Sequence, residues 1–132
     1  MTITYRVNAP VTADQAIELF RASGIRRPID QPERIGRMLQ HTNLTITAWD
    51  STKLVGIARA LTDFSFCCYL SDLAVDKAYQ KSGIGKELVQ RIQEAIGEES
   101  MLLLLAAPEA MDYYPHIGFN KVERAWEIKR KR

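Results

Sequence analysis

Three features of the chain predict a mixed α/β fold. Residues 44–75 contain successive segments whose apolar side chains recur at every second position. An amphipathic stretch, GKELVQRIQEAIGEE, follows them, and then comes the continuous apolar run MLLLLAA. A meander that passes through a helical crossover into a buried strand gives a mixed, mostly antiparallel sheet flanked by helices, with one central parallel strand pair.

The elements follow in order. ITYRV (3–7) alternates and reads as a short strand. TADQAIELFRAS reads as a helix, with Thr12 as N-cap, Ala16, Ile17, Leu19 and Phe20 along one face, and Gly24 closing it. PERIGRMLQH begins with Pro32, which suits a first helical turn, and carries Ile35, Met38 and Leu39 at helical spacing. LTITAW (44–49), the turn DSTK (50–53), LVGIARALTD (54–63) and FSFCCYLSDLAV (64–75) read as three consecutive antiparallel strands. The following helix places Leu88, Ile92, Ala95 and Ile96 on one side. MLLLLAA (101–107) has the unbroken apolar character of a strand covered on both faces and parallel to its neighbour. PEAMDYYPHIG reads as a short helix begun by Pro108 and disturbed at Pro115, and FNKVERAWEIK (119–129) as a last strand. The predicted order is β-α-α-β-β-β-α-β-α-β.

With 132 residues, 46% of them hydrophobic and 26% charged, the chain is expected to form one domain over residues 1–132. No apolar run approaches the roughly 18 residues of a membrane span, and MTITYRVNAP lacks the layout of a secretion signal. No membrane association and a cytoplasmic location are therefore expected. Cys67 and Cys68 are adjacent, so on a strand they point to opposite faces; they read as reduced side chains, with no second pair to suggest a metal site. A formal net charge of +2 is too small to argue for nucleic acid, and the basic tail IKRKR lacks the interleaved aromatics of a nucleic-acid surface.

The chemistry is concentrated in YQKSGIGKEL (79–88). A Walker A loop would need Ser or Thr after Gly85-Lys86, where Glu87 stands, and a dinucleotide fingerprint would need a third small residue where Leu88 stands. What remains is Gln80, Lys81, Ser82, Gly83, Ile84, Gly85 and Lys86 between a strand and a helix start. Missing Cβ atoms, successive backbone N–H groups and two lysines favour an anion there. Taken alone, two glycines ahead of a helix describe a plain turn equally well.

Context separates the two readings. LAVDKAYQKSGIGKEL resembles the Q/R-x-x-G-x-G/A motif of the GNAT N-acetyltransferases together with the strand before it. YYPHIGF (113–119) resembles the later Y-x-x-x-G-F motif of the same family, and the order of elements is similar along nearly the whole chain. The resemblance implies that strands 64–75 and 101–107 splay apart and that the pantetheine arm of acetyl-CoA lies between them. It would meet main-chain groups of Leu73, Ala74 and Val75, left unpaired by the splay, with the pyrophosphate on the amides of Lys81 to Lys86. One departure is Ala107, where the family often has Asn seven residues before the tyrosine.

The implied reaction is direct acetyl transfer from the thioester to an amine, without a metal. The developing oxyanion needs a preorganised donor, most simply an N–H around Leu73 or Ala74. Tyr114, by motif position, is expected to donate a hydrogen bond to the departing thiolate and to touch the cofactor. Complete proton transfer from a phenol to a thiolate is uphill by about 2 kcal/mol. Asp72, two residues beyond Leu70 and four beyond Cys68, interrupts an apolar face and is a candidate base, directly or through water; a carboxylate tied to structural partners fits the pattern as well. His116 is a second candidate, His41 reads as surface, and Tyr113 is expected to face the core. Arg26, Arg27, Arg34 and Arg37 suit either an acidic acceptor or a charged helix surface.

The expected activity is thus acetyl-CoA-dependent N-acetylation of an amine, small molecules being favoured over proteins. The alternative is a non-catalytic acyl-CoA-binding module on the same fold. The acceptor stays open, and so does the oligomeric state, for which a strand edge or the last strands would be the place of a homodimer.

Overall fold

The alternating segments pair into one sheet in the computed structural model, which describes residues 2–132. Strands β1 (Ile3–Val7), β2 (Leu44–Asp50), β3 (Lys53–Thr62), β4 (Cys67–Val75) and β5 (Met101–Leu103) lie side by side in chain order. The first four are antiparallel and β5 is parallel to β4. Between β3 and β4 the Asp63 carboxylate accepts N–H bonds from Ser65, Phe66 and Cys67. Those bonds favour its charged form and hold its pKa at about 2. This turn consumes residues that alternation alone assigns to the strand, so β4 begins at Cys67 rather than at residue 64.

Helices cover both faces. In α1 (Ala13–Ser23) Thr12 and Gln15 form a reciprocal capping box, and Gly24 closes the helix in the left-handed region at φ 81°. With α2 (Pro32–Gln40), α1 buries Ala16, Leu19, Phe20 and Ile35 against Ile57 and Ala74 of the sheet. On the opposite face α3 (Ile84–Ile96) packs Leu88 and Ile92 against Ile46, Ala58, Cys68 and Leu70. Gly56 admits this approach: a Cβ there would lie 3.1 Å from Ile84 and 3.2 Å from both Ala48 and Leu88.

The register between β3 and β4 skips one residue. Arg59 stands opposite Asp72 and Ala60 opposite Leu70, so Ser71 is the extra residue of a β-bulge. Cys68 and Leu70 therefore face α3, whereas Asp72 and Ala74 face α1 and α2. Plain alternation puts Asp72 on the face of Leu70; the bulge turns it to the other side.

The chain departs from expectation after α3. MLLLLAA forms only the three-residue β5, and it is covered on one face, with Met101 and Leu105 exposed. The Pro108 segment divides into a 3₁₀ turn (Pro108–Ala110) and a single-turn helix, α4 (Tyr113–His116). Residues 119–129 join no strand. Phe119 is out of phase with Val122, Trp126 and Ile128, so one strand face cannot bury them all. Phe119 packs on the core, while Trp126 and Ile128 stand fully in solvent. A three-residue β5 also offers little edge to pair with.

Gly56→Ala is expected to cost about 1–3 kcal/mol by overpacking the contact between α3 and the sheet. Urea unfolding checks this, and unchanged stability would show slack at that contact.

Candidate active site

The ladder between β4 and β5 runs from Cys67–Met101 to Tyr69–Leu103 and stops. The bulge bends β4 just beyond that point. A cleft of about 600 Å³ opens there, with Leu70, Ser71, Leu73, Ala74 and Val75 on one wall and Leu104 to Ala107 on the other. Tyr114, Arg27 and Gln80 also line it. A second cleft, of about 660 Å³, lies between the C-terminal end of α3, β5 and residues 117–122, and none of the expected site residues lines it.

The lining of the first cleft includes Lys77 and Gln80, which lie just ahead of the glycines in the chain. Asp76 caps a 3₁₀ turn (Lys77–Tyr79), and the Tyr79 hydroxyl donates to Asp50 at 2.6 Å, pinning the turn to β2. Lys81 and Gly83 both have positive φ, 68° and 83°, and Gly83 is the N-cap of α3. No side chain caps this helix start, so its first-turn N–H groups have no side-chain partner. Lys81 and Lys86 are exposed beside them, whereas the Ile84 side chain is buried and offers only its backbone. At Gly85 a Cβ would come within 2.7 Å of the Tyr113 hydroxyl, so the free end of that partly exposed side chain would have to shift. Tyr113 thus reaches over the start of α3 and is partly exposed, contrary to the expectation that it faces the core.

Two polar groups of this region already have internal partners. The Gln80 amide donates to the Val75 carbonyl at 3.0 Å, so that carbonyl is not bare, and the Ser82 hydroxyl donates to the Tyr79 carbonyl. A carbonyl has two lone pairs, so Val75 retains capacity for a ligand.

Tyr114 packs edge-on against both Tyr113 and Phe119, which fixes its ring on the cleft wall. Its pKa is raised, first by burial and then by Tyr113, with Arg27 pulling the other way. His116 and His41 are both exposed, at the ends of α4 and α2.

Asp72 is fully buried and does not line the cleft. Its Oδ1 accepts from Arg27 Nε at 2.5 Å and its Oδ2 from Arg59 Nε. Arg27, on the link between α1 and α2, also donates through Nη2 to the Ser71 carbonyl at 2.7 Å. Arg59 donates through Nη2 to the Ser71 hydroxyl and through Nη1 to Thr42. The carboxylate expected to reach an amine lies behind Arg27, with each oxygen held by a guanidinium. Neither the Arg59 partnership nor the bulge is read in the sequence. An arginine amid Ile57, Ala58 and Ala60 was the available signal, because a cation there needs a buried carboxylate.

A family model described as "Acetyltransferase (GNAT) domain" matches residues 8–129. An uncharacterized N-acetyltransferase of Porphyra purpurea is 30% identical over 105 residues, covering 74% of this chain and 58% of that protein. GCN5-related N-acetyltransferase 2, chloroplastic, of Arabidopsis thaliana is 36% identical over 69 residues, 51% of this chain and 27% of that protein. The chain therefore spans between about a quarter and three fifths of the length of these two relatives. Among solved structures, an acetyltransferase of the GNAT family from Streptococcus pneumoniae superposes with TM-score 0.77 at 22% identity, covering 98% of this chain and all of that one. Aminoglycoside N-acetyltransferase AAC(6')-Iy in complex with CoA gives TM-score 0.69 at 16% identity, covering 98% and 95%. At those identities the two structures speak for the fold alone. Among the described residues no helix is long and apolar enough to cross a membrane, and no cluster of three or more His, Cys, Asp or Glu is placed to hold a metal.

Asp72→Asn is expected to cost about 3 kcal/mol or more, because it leaves two guanidinium groups around a neutral amide. Urea unfolding measures this. A loss under about 1 kcal/mol would show that Arg27 and Arg59 find other partners.

Proposed function

We propose that this chain, which belongs to the GNAT family of acetyltransferases, moves an acetyl group from acetyl-CoA to the primary amine of a small molecule. One observation carries the reading: the sheet opens beside Leu70–Val75, and the opening is lined by Gln80, on the loop just ahead of a helix start with no side-chain cap. The pantetheine arm would take the place of the missing strand, bonding main-chain groups of Leu73, Ala74 and Val75, with Gln80 sharing or yielding the Val75 carbonyl. The pyrophosphate would sit on first-turn N–H groups of α3, with Lys81 and Lys86 adding charge at the positive end of the helix dipole. Ala107 lines the far wall without a polar side chain, so that wall contributes backbone only at this position.

The chemistry asks three things of the protein. A β4 N–H near Leu73 or Ala74 stabilises the negative charge that grows on the carbonyl oxygen. Tyr114 donates to the departing sulfur, and its raised pKa keeps the hydroxyl protonated through the neutral range. The ammonium proton of the acceptor passes to water in the cleft. In this reading Asp72 is a positioning residue that holds Arg27 on the wall. The two free thiols, Cys67 and Cys68, suit a reducing compartment such as the cytoplasm.

Calorimetry with coenzyme A, followed by detection of free thiol when acetyl-CoA is offered with a panel of amines, tests the proposal. Binding with thiol release supports it. Binding without release for any amine would leave an acyl-CoA-binding module, and no binding would end the reading. Replacing Lys81 and Lys86 together by Ala should weaken CoA binding about tenfold at low salt, with a smaller effect at high salt. Tyr114→Phe should lower kcat about 10²-fold with little change in CoA affinity. Because the tyrosine pKa is raised, the Tyr114-dependent part of kcat should persist to above pH 10. Equal kcat in the two proteins would remove Tyr114 from the mechanism.

A further inference from the structure

The buried cluster around Asp72 is one charge out of balance. Two guanidinium groups, Arg27 and Arg59, share one carboxylate, and neither has another acidic partner among the described residues. The remaining bonds of Arg59 go to neutral acceptors: the Met38 carbonyl, the Thr42 hydroxyl and the Ser71 hydroxyl. Its side chain is only 7% exposed, so a ligand cannot reach it. Arg27 is different. Its side chain is 25% exposed and it lines the cleft. Its three donor bonds go to Asp72, the Ser71 carbonyl and the Arg26 carbonyl, which leaves two of its five N–H groups unbonded.

The surroundings add to the imbalance. Arg26 and Lys77 also line the cleft, against Glu109 as the one carboxylate on its lining. The cofactor phosphates, placed on Lys81 to Lys86, would not neutralise Arg27. Ser71 and Val75 are four residues apart on β4, about 13 Å at strand rise, and the glycine loop lies farther on. Arg27 and Tyr114 line the same cleft, so an anion on Arg27 would share that cleft with the tyrosine placed at the reacting sulfur.

We infer that the acceptor is an amine that carries its own carboxylate, of the amino-acid class, and that Arg27 binds that carboxylate. This rests on the acetyltransferase reading above. An arginine held by Asp72 and Ser71 presents its remaining N–H groups in a fixed direction, the arrangement that carboxylates match. A cationic amine enters this positive cleft at a cost unless an attached anion offsets its charge. A zwitterion meets both conditions, whereas a polyamine or a polycationic sugar meets neither.

The test uses the purified chain, acetyl-CoA and matched acceptors: tyrosine, histidine, ornithine and lysine, each with its carboxamide and its decarboxylated amine, and sisomicin as a polycation. Free thiol is followed, and coenzyme A binding is measured separately by calorimetry. Carboxylate-bearing members should show kcat/KM about 10- to 100-fold above their amide and decarboxylated partners. Arg27→Met should erase that ratio, and Arg27→Lys should keep part of it. If Arg27→Met does not fold, the ratio in the unmodified protein decides alone. Equal or better turnover of the amides, the decarboxylated amines or sisomicin overturns the inference and leaves the acetyltransferase standing. A panel silent throughout, with coenzyme A bound, also overturns it. Absence of coenzyme A binding removes the reading beneath it instead.

Discussion

One carboxylate between two guanidinium groups ties three parts of the molecule together. Asp72 on β4 holds Arg59 on β3 and Arg27 on the link between the first two helices. Buried charges are costly unless paired and hydrogen-bonded, so this cluster tolerates few alternative arrangements. Ser71 supports it from both sides, its carbonyl bound to Arg27 and its hydroxyl to Arg59. The arrangement requires the extra residue in β4, because only the phase change at Ser71 turns Asp72 toward the helix pair whose connecting segment carries Arg27. Bulge, ion cluster and cleft wall are thus one construction, and the ladder to β5 ends next to it.

What the sequence made legible was mostly local. The Thr12–Gln15 capping box, the Gly24 stop and the apolar stripe of α3 are encoded within a turn or two of the residues concerned, and the structure contains them as read. The glycine loop was legible because Gly83 holds a left-handed backbone conformation that few other residues allow. The bulge was not, since its existence depends on what lies opposite, and SDLAV alternates without a visible skip. A carboxylate among apolar residues marks Asp72 as unusual, but alternation alone assigns it to the α3 face and the bulge puts it on the other. Arg59 carries the matching signal, since a cation inside an apolar strand demands an anion as surely as the reverse. The last segment, 119–129, has enough apolar residues for a strand but not one consistent phase, and the Asp63 turn hides its effect in a single side chain.

The cleft combines two electrostatic environments with an apolar middle. Its lining includes Lys77 and Gln80, on the loop that runs on to Lys81, Lys86 and the start of α3; along the walls lie Leu73, Leu104 and Leu105; Arg27 and Tyr114 line it as well. Such a layout suits a long ligand with a charged tail and an apolar arm. It would bring the arm's reactive tip to a place where charge is fixed by the fold rather than by mobile side chains, which is how preorganisation lowers a barrier.

The two walls of that cleft are not equally supported. β4 is laced along its length to β3, whereas the opposite wall hangs from three residue pairs and continues into residues that no further strand braces. One wall is thus a strand paired along its length and the other is mostly unpaired chain. Residues 104–107 carry no strand pairing of their own, so contacts made to them by a ligand would not be backed by a ladder, as contacts to β4 would be.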